Sequence, residues 1–517
     1  MNKQWWNETV FYQIYIPSFR DGNQDGIGDF KGITEKLSHL EELGVKGVWL
    51  TPFYPSPKID NGYDISDYTA VDPQYGTMED FECFIQEAKK RDIKVIIDIV
   101  INHTSTNHEW FQESKSSISS SKRDWYIWKD KPNNWESYFG GSAWEYDETT
   151  KQYYYHSFAK EQADLNWSNS EVKREIYKML EFWLGKGVDG FRLDVINNLT
   201  VELNFEDNPY DSQEEQLHSY DKDQEGLDAV LSDLVTHIKS INSDVLLVGE
   251  ISSDDLDFIS HYAQDGLFDL TFNFNIGSLE KLDLSVFFSE LNKMNEFYIG
   301  EKIPTLFFGS HDLKRSWDRL AANHLNTYKM LLTFLLLAKG VPFIYFGEEF
   351  GMRNSVPEKL SDFRDVQGLN AYYDAISKGK SESEALKKAQ RNTRDGGRTP
   401  MSWDDEQESD KQYWIKKSED NPFKMVIMDF YKKMIKIRAD LDLGSSDYNL
   451  FETAKGSLVF QRKNIRVYLH FGEKMRTFPC STKYFHVLSE TGDVIIENDQ
   501  IKLSSYSSVV IKLNERE

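Results

Sequence analysis

Apolar positions in this chain gather into short unbroken runs, and segments of helical period separate them. Val10 to Tyr15 is the first run, Ile33 to Leu43 is amphipathic, and Gly47 to Leu50 is a second run that opens into Thr-Pro. Glu79 to Arg91 again has helical spacing, and Lys94 to Val100 is almost wholly β-branched. Runs that are apolar at every position predict strands buried on both faces, as in a parallel sheet. The alternation resumes with a helix over Ser170 to Lys186, a strand over Gly190 to Leu193, a helix over Gly226 to Ile241 and a strand over Val245 to Val248. Leu267 to Phe274, Thr305 to Phe308 and Val341 to Phe346 supply three more strands, with helices over Leu284 to Met294 and Thr327 to Lys339 between them. Eight strands alternating with helices predict an α/β chain closed as a (β/α)8 barrel.

Two stretches depart from the alternation. His103 to about Asn166 is polar and aromatic, with Gly-Gly-Ser and Tyr-Tyr-Tyr, and exceeds the roughly two to six residues of an ordinary strand-to-helix loop. It predicts a subdomain inserted after the third strand. After a last helix over Phe423 to Arg438, runs such as Leu458-Val-Phe-Gln and Val467-Tyr-Leu-His-Phe predict a small antiparallel β-domain ending at Leu513. The expected organisation is a barrel in two parts, 1–102 and 170–443, an insertion over 103–169 and a C-terminal β-domain over 444–517. The acidic stretch Val201 to Glu225 reads as a lid or rim, or equally as a solvated loop.

Composition narrows the partners. With 85 acidic against 60 basic residues the formal charge is -25, which repels phosphate backbones and anionic lipid, so neither nucleic acid nor a membrane is expected. Cys83 and Cys480 are the only cysteines, no secretion signal is visible, and the apolar stretch Met330 to Ala338 is too short to span a bilayer. A cytoplasmic monomer or weak homodimer acting on a small oligosaccharide is the expectation. Aromatics at 14% could stack on sugars, although most aromatics simply pack.

The loop Asp21-Gly-Asn-Gln-Asp-Gly-Ile-Gly-Asp29 sets oxygen donors at alternate positions. Asp21, Asn23, Asp25 and Asp29 side chains and the Ile27 carbonyl match the opening of a calcium loop, with Gly26 at the sharp turn. Gly32 stands where such loops carry their last glutamate, so this is no EF-hand proper. A structural Ca2+, or Mg2+ in its place, is expected.

Three carboxylates close apolar runs: Asp194 after Gly190-Phe-Arg-Leu, Glu250 after Leu-Leu-Val-Gly and Asp312 after His311. The carboxyl ends of strands are where a (β/α)8 barrel keeps its chemistry, and grouped carboxylates there suit glycosidic bonds. Arg192 and Asp194 project to the same side of one strand, so the guanidinium is expected to lower the Asp194 pKa, as a nucleophile requires. A structural ion pair explains those two residues equally well on their own. Glu250, in an apolar setting, is expected to have a raised pKa and to serve as general acid.

The chain resembles the α-amylase superfamily of glycoside hydrolases, within it the oligo-1,6-glucosidase, dextran glucosidase and α-glucosidase group. The resemblance is carried by Tyr12-Gln-Ile-Tyr15, the Asp21 to Asp29 loop, Asp60-Asn-Gly-Tyr-Asp-Ile65, Asp98-Ile-Val-Ile-Asn-His-Thr104, Gly190-Phe-Arg-Leu-Asp-Val-Ile196, Val248-Gly-Glu250, His311-Asp312, Gly347-Glu-Glu-Phe-Gly-Met352 and Arg398-Thr-Pro-Met401. It implies Asp194 as nucleophile, Glu250 as acid/base and Asp312 as the third carboxylate. It also implies His103 and His311 around a bound glucose, Tyr63 as its stacking platform, Asp98 supporting Arg192, and Asp60 with Arg398 clasping the non-reducing end. Val195 after the nucleophile accompanies α-1,6 linkages in that group, and Gln162-Ala-Asp-Leu-Asn166 is similar to its Gln-Pro-Asp-Leu-Asn tag.

The expected activity is that of a retaining exo-α-glucosidase on isomalto-oligosaccharide ends. Alternatives left open are α-1,4-glucosidase, trehalose-phosphate hydrolase, a glucosyl transferase or isomerase, and a non-catalytic binding subunit. Ser310-His-Asp-Leu-Lys-Arg315 stands where the family usually has Asn-His-Asp-Gln-Pro-Arg, which leaves the aglycone side open. Lys314 there fits an anionic sugar or a solvated surface lysine.

Overall fold

A computed structural model describes residues 4–300, 302–403, 412–444, 448–480 and 485–513. The extreme amino terminus and the last four residues of the expected β-domain lie outside them. Eight strands form the central sheet: β1 (Phe11–Ile14), β2 (Gly47–Leu50), β3 (Lys94–Ile99), β4 (Gly190–Leu193), β5 (Leu246–Gly249), β6 (Leu270–Thr271), β7 (Thr305–Leu306) and β8 (Val341–Tyr345). All pairings are parallel, and the order β6-β5-β4-β3-β2-β1-β8-β7 makes an almost closed barrel. At the β6/β7 seam a side chain replaces the ladder. Thr305 Oγ1 accepts the Asn273 amide at 3.0 Å and donates to the Thr271 carbonyl at 3.0 Å.

Alternation along the strands sorts side chains into two cores. Residues facing inward, among them Phe11, Trp49, Ile96, Leu246, Val248, Phe272, Phe307 and Phe343, fill the barrel, with Phe11 and Phe343 stacked at 4.7 Å. Those facing outward, such as Tyr12, Ile14, Val48, Leu50, Val95 and Ile97, pack under the surrounding helices. The expected Ile33 to Leu43 helix is two, Phe30–Glu35 and Leu37–Leu43, because Lys36 leaves helical geometry at φ -97 and ψ 6.

The insertion is closed at its base by antiparallel pairing of His103–Ser105 with Gln162–Asp164. Beyond that base, Gln152–Tyr155 pairs with both Trp128–Lys129 and Trp144–Asp147. Val201 to Glu225 is a rim docked on this insertion rather than a solvated loop. Trp135 Nε1 donates to the Glu206 carbonyl at 2.8 Å, Gln216 Nε2 to the Asn134 carbonyl at 2.9 Å, and Phe205 packs against Trp135.

Two helices that strand-and-helix counting missed, Val366–Ser377 and Glu382–Asn392, form a hairpin after β8. The C-terminal part carries a five-stranded and a three-stranded antiparallel sheet. Arg462 fastens it to the barrel by donating to the carbonyl of Ala338 at 2.8 Å. Among the described residues no helix is long and apolar enough to cross a membrane.

Candidate active site

At the carboxyl ends of the strands the inward positions turn from apolar to polar. The same parity that sends Phe11, Ile96 and Val248 into the barrel core sends Gln13, Asp98, Arg192, Asp194 and Glu250 to its mouth. Arg192 is the centre of this floor. Its Nη1 reaches Asp98 Oδ1 at 2.7 Å and Asp194 Oδ1 at 2.5 Å, and its Nη2 reaches Glu250 Oε2 at 2.5 Å. Asp98 is fully buried and also accepts Tyr63 Oη at 2.9 Å and Trp49 Nε1 at 3.3 Å, so the guanidinium is fixed from below.

Val195, directly after Asp194, has φ 38 and ψ 51. That left-handed conformation costs a β-branched residue on the order of 1–2 kcal/mol. It turns the Val195 amide onto Glu250 Oε2 at 3.2 Å, the oxygen Arg192 already holds. Both donors therefore converge on Oε2, and a side-chain hydrogen bond ties Glu250 to Asp194. The chain turns here so that Asp194 and Glu250 share one guanidinium.

The third side of the floor comes from the end of β7. His311 Nδ1 lies 2.7 Å from Gln13 Nε2, its Nε2 lies 2.6 Å from Tyr63 Oη and 3.2 Å from Asp312 Oδ2. The Tyr63 and His311 rings are parallel at 5.2 Å. His103 Nε2 lies 3.0 Å from Gln162 Nε2, so the insertion's return strand sets the orientation of that imidazole.

The roof is assembled from elsewhere. Arg394, just past the Glu382–Asn392 helix, reaches Asp60 Oδ1 at 2.7 Å, Asp312 Oδ1 at 3.1 Å and Asp365 Oδ1 at 2.6 Å. Phe139 and Phe158 come from the insertion, and Gln367 from the first turn of the hairpin. Together with Asp60, Tyr63, His103, Asp194, Val195, Glu250, His311, Asp312 and Arg394 they enclose a cavity of about 200 Å³. That is below the roughly 300–1,000 Å³ of drug-sized sites, a scale suited to one small ring.

The titrating groups divide by environment. Burial pushes Asp194 up to about 6 against the pull of Arg192, which corrects the expectation of a lowered value. The guanidinium is shared with Asp98 and Glu250, and the desolvated setting outweighs it. Burial and the neighbouring Asp194 charge push Glu250 further, to about 8. The two remain ordered as nucleophile and acid require, one ionised and the other protonated near neutrality. Burial also raises Asp312, but His311, Arg394 and Arg398 outweigh it and hold that carboxylate well below its usual range. Burial lowers both His103 and His311 to about 3, so both are neutral.

All ten residues nominated as catalytic or substrate-binding come together here. Arg398, expected with Asp60 around the non-reducing end, donates its Nε to the His311 carbonyl at 2.7 Å, and its Nη2 lies 3.3 Å from Asp312, so it backs the third carboxylate. Arg394, four positions earlier and the N-cap of the turn Asp395–Gly397, reaches Asp60. Arg394, Asp365, Phe139, Phe158 and Gln367 were missed. The only local signal was the Ser381 and Glu384 capping box that starts the second hairpin helix.

The Asp21 to Asp29 loop lies apart from the cavity lining, on the connection before the Phe30–Glu35 helix. Asp21 accepts the amides of Gln24 and Gly26, Asp25 that of Ile27, Asn23 that of Asp25, and Asp29 those of Gly22, Asn23 and Gly32. Among the described residues no three His, Cys, Asp or Glu side chains gather as a metal cage. The oxygens are the hard donors an alkaline-earth ion takes, each with a second lone pair, but such an ion would draw them together from these amides.

The family profile described as "Alpha amylase, catalytic domain" matches residues 13–444. Among curated relatives, trehalose-6-phosphate hydrolase of Bacillus subtilis (strain 168) is 42% identical over 77% of this chain and 74% of its own. Oligo-1,6-glucosidase of Parageobacillus thermoglucosidasius is 36% identical over 96% of this chain and 95% of its own. Among solved structures, the trehalulose synthase MutB from Pseudomonas mesoacidophila MX-45 superposes with a TM-score of 0.90 at 32% identity, covering 99% of both chains.

Proposed function

This chain belongs to the alpha-amylase family of glycoside hydrolases, and we propose that it is a retaining, exo-acting α-glucosidase that releases terminal α-1,6-linked glucose from isomalto-oligosaccharides. The observation that carries the reading is the pair of carboxyls on one guanidinium. Asp194 and Glu250 each bond a different terminal nitrogen of Arg192 at 2.5 Å. Inverting enzymes hold their carboxyls about 6.5–9.5 Å apart to seat a water, and retaining ones only about 5–5.5 Å. Sharing one guanidinium favours the second geometry.

In the first step Asp194 attacks the anomeric carbon while Glu250 passes its proton to the departing glycosidic oxygen. The glycosyl ester on Asp194 is then attacked by water, and Glu250 takes the proton that water gives up. Asp312, ionised, stabilises the positive charge that develops on the ring. The Arg394 and Asp60 pair, both lining the cavity and joined at 2.7 Å, supports exo action.

The neighbouring trehalose-6-phosphate hydrolase and trehalulose synthase define the competing readings. A panel of isomaltose, maltose, trehalose, sucrose and trehalose 6-phosphate separates them. Glucose released fastest from isomaltose supports the proposal. Dominant turnover of the phosphorylated disaccharide, or an isomer of sucrose as main product, would overturn it.

We also propose a structural Ca2+, or Mg2+, held by Asp21, Asn23, Asp25, Asp29 and the Ile27 carbonyl. Its support is the donor chemistry alone. Chelator should lower the thermal midpoint and leave the pH profile unchanged; an unmoved midpoint counts against the ion.

A further inference from the structure

Arg394 has contacts on almost every side of its guanidinium. Its Nη1 faces Asp312 at 3.1 Å, and its Nη2 is shared between Asp60 at 2.7 Å and Asp365 Oδ1 at 2.6 Å. Its Nε also donates to Asp365 Oδ1 at 3.1 Å, and its own backbone amide donates to Asp365 Oδ2 at 2.7 Å. Asp60 and Asp312 both line the cavity, whereas Asp365 does not and is fully buried. One residue outside the pocket thus grips both the backbone and the side chain of the residue that reaches in.

The placement of Asp365 explains the grip. It is the N-cap of the Val366–Ser377 helix, accepting the Gln367 amide, and Arg394 follows the helix that returns to it. The tie runs both ways, since Asp395 accepts the amides of Arg364 and Asp365 at 2.9 and 3.3 Å. The two ends of the hairpin are laced at the base. Asp60 and Asp312 hold Arg394 only where a sugar is to sit, and their own side chains must also serve that sugar. Asp365 has no such second duty.

We propose that Asp365 is a positioning residue of this glycosidase site: it aims Arg394, and through Arg394 it sets where Asp60 and Asp312 meet the terminal sugar. The proposal rests on the glycosidase reading above. A fork held by two bonds from one carboxylate has one orientation; with an amide in that place the fork can turn, and the two carboxylates lose a common reference. Displacement of positioning groups by about 1 Å can reduce turnover on the order of 100-fold.

The test is a double-mutant cycle on the full chain, with p-nitrophenyl α-glucoside as substrate. Asp365→Asn should lower kcat/KM by about 10- to 100-fold, and Arg394→Lys, which keeps the charge but loses the fork, should lower it comparably. The double variant should be little worse than Arg394→Lys alone, because the carboxylate acts through the arginine. Losses that multiply, or a kcat/KM for Asp365→Asn within twofold of the parent, overturn the role. A purely structural Asp365 would lower the thermal midpoint without this coupling. Should Asp365→Asn not fold, Asp365→Glu enters the same cycle with the charge kept. Its displaced carboxylate should lower kcat/KM at an unchanged midpoint, and an unaltered kcat/KM again overturns the proposal. An inactive parent enzyme would instead count against the glycosidase reading itself.

Discussion

The floor of the pocket is laid by the ends of β3, β4, β5 and β7, whereas its roof is borrowed from the insertion and from the hairpin after β8. On the floor, Arg192 and Asp194 are two residues apart on one strand, and strand parity alone brings them together. In the roof, Arg394 meets Asp60 across 334 positions of sequence, and no local rule relates them. On the proposed reading, floor groups act on the bond that breaks and roof groups select what reaches it.

This contrast predicts effects of different kind and size. The largest is expected for Asp194→Ala, which removes the proposed nucleophile and should reduce kcat by about 10⁴-fold or more with folding intact. Near-parental turnover in that variant would sink the double-displacement mechanism. Next comes Glu250→Gln, which should cost about 10²- to 10⁴-fold on isomaltose. The loss should be much smaller on an aryl glucoside, whose leaving group needs no proton. Equal losses on both would deny Glu250 the acid role.

The pH profile tests the same floor. Asp194, raised to about 6, must be ionised, so kcat/KM falls as pH drops below that value; Glu250, raised to about 8, must be protonated, so it falls again above. A plateau between the two limbs is expected, belonging to the pair rather than to either residue. A profile still rising beyond pH 9 would break the assignment. The roof should respond more mildly. Phe139→Ala should raise KM by about 10-fold, since a lost aromatic face is worth about 1–1.5 kcal/mol, and should leave kcat nearly unchanged. The smallest effect belongs to the barrel seam. Thr305→Val should lower stability by about 1–3 kcal/mol, by denaturant titration, and leave kcat where it was.

Much of the floor was legible in the sequence. Gly47 to Leu50 and Gly190 to Leu193 were read at the bounds the strands take, because parallel strands covered on both faces are apolar at every position. Leu267 to Phe274 and Thr305 to Phe308 were read too long. Beside the seam only Leu270–Thr271 and Thr305–Leu306 join the ladder, with β5 and β8 respectively, and the apolar neighbours Phe272 and Phe307 fill the barrel instead. The rise of Asp194 was hidden as well. Spacing reveals the arginine beside a carboxylate but not the water it has lost. The hairpin went unread because its helices present few buried residues, Ala385 and Ala389 in the second, so the apolar period is faint. Arg394, which follows that hairpin, is hidden with it.

The cluster around Arg394 carries a consequence for inheritance. Its three carboxylates, Asp60, Asp312 and Asp365, stand on three separate segments, and every one of them balances the same positive charge. A single substitution at any of the four strands charge among largely buried side chains, whereas a matched pair of changes does not. Descendants of this sequence that alter the clasp are therefore expected to do so in concert, across segments that nothing but the folded pocket connects.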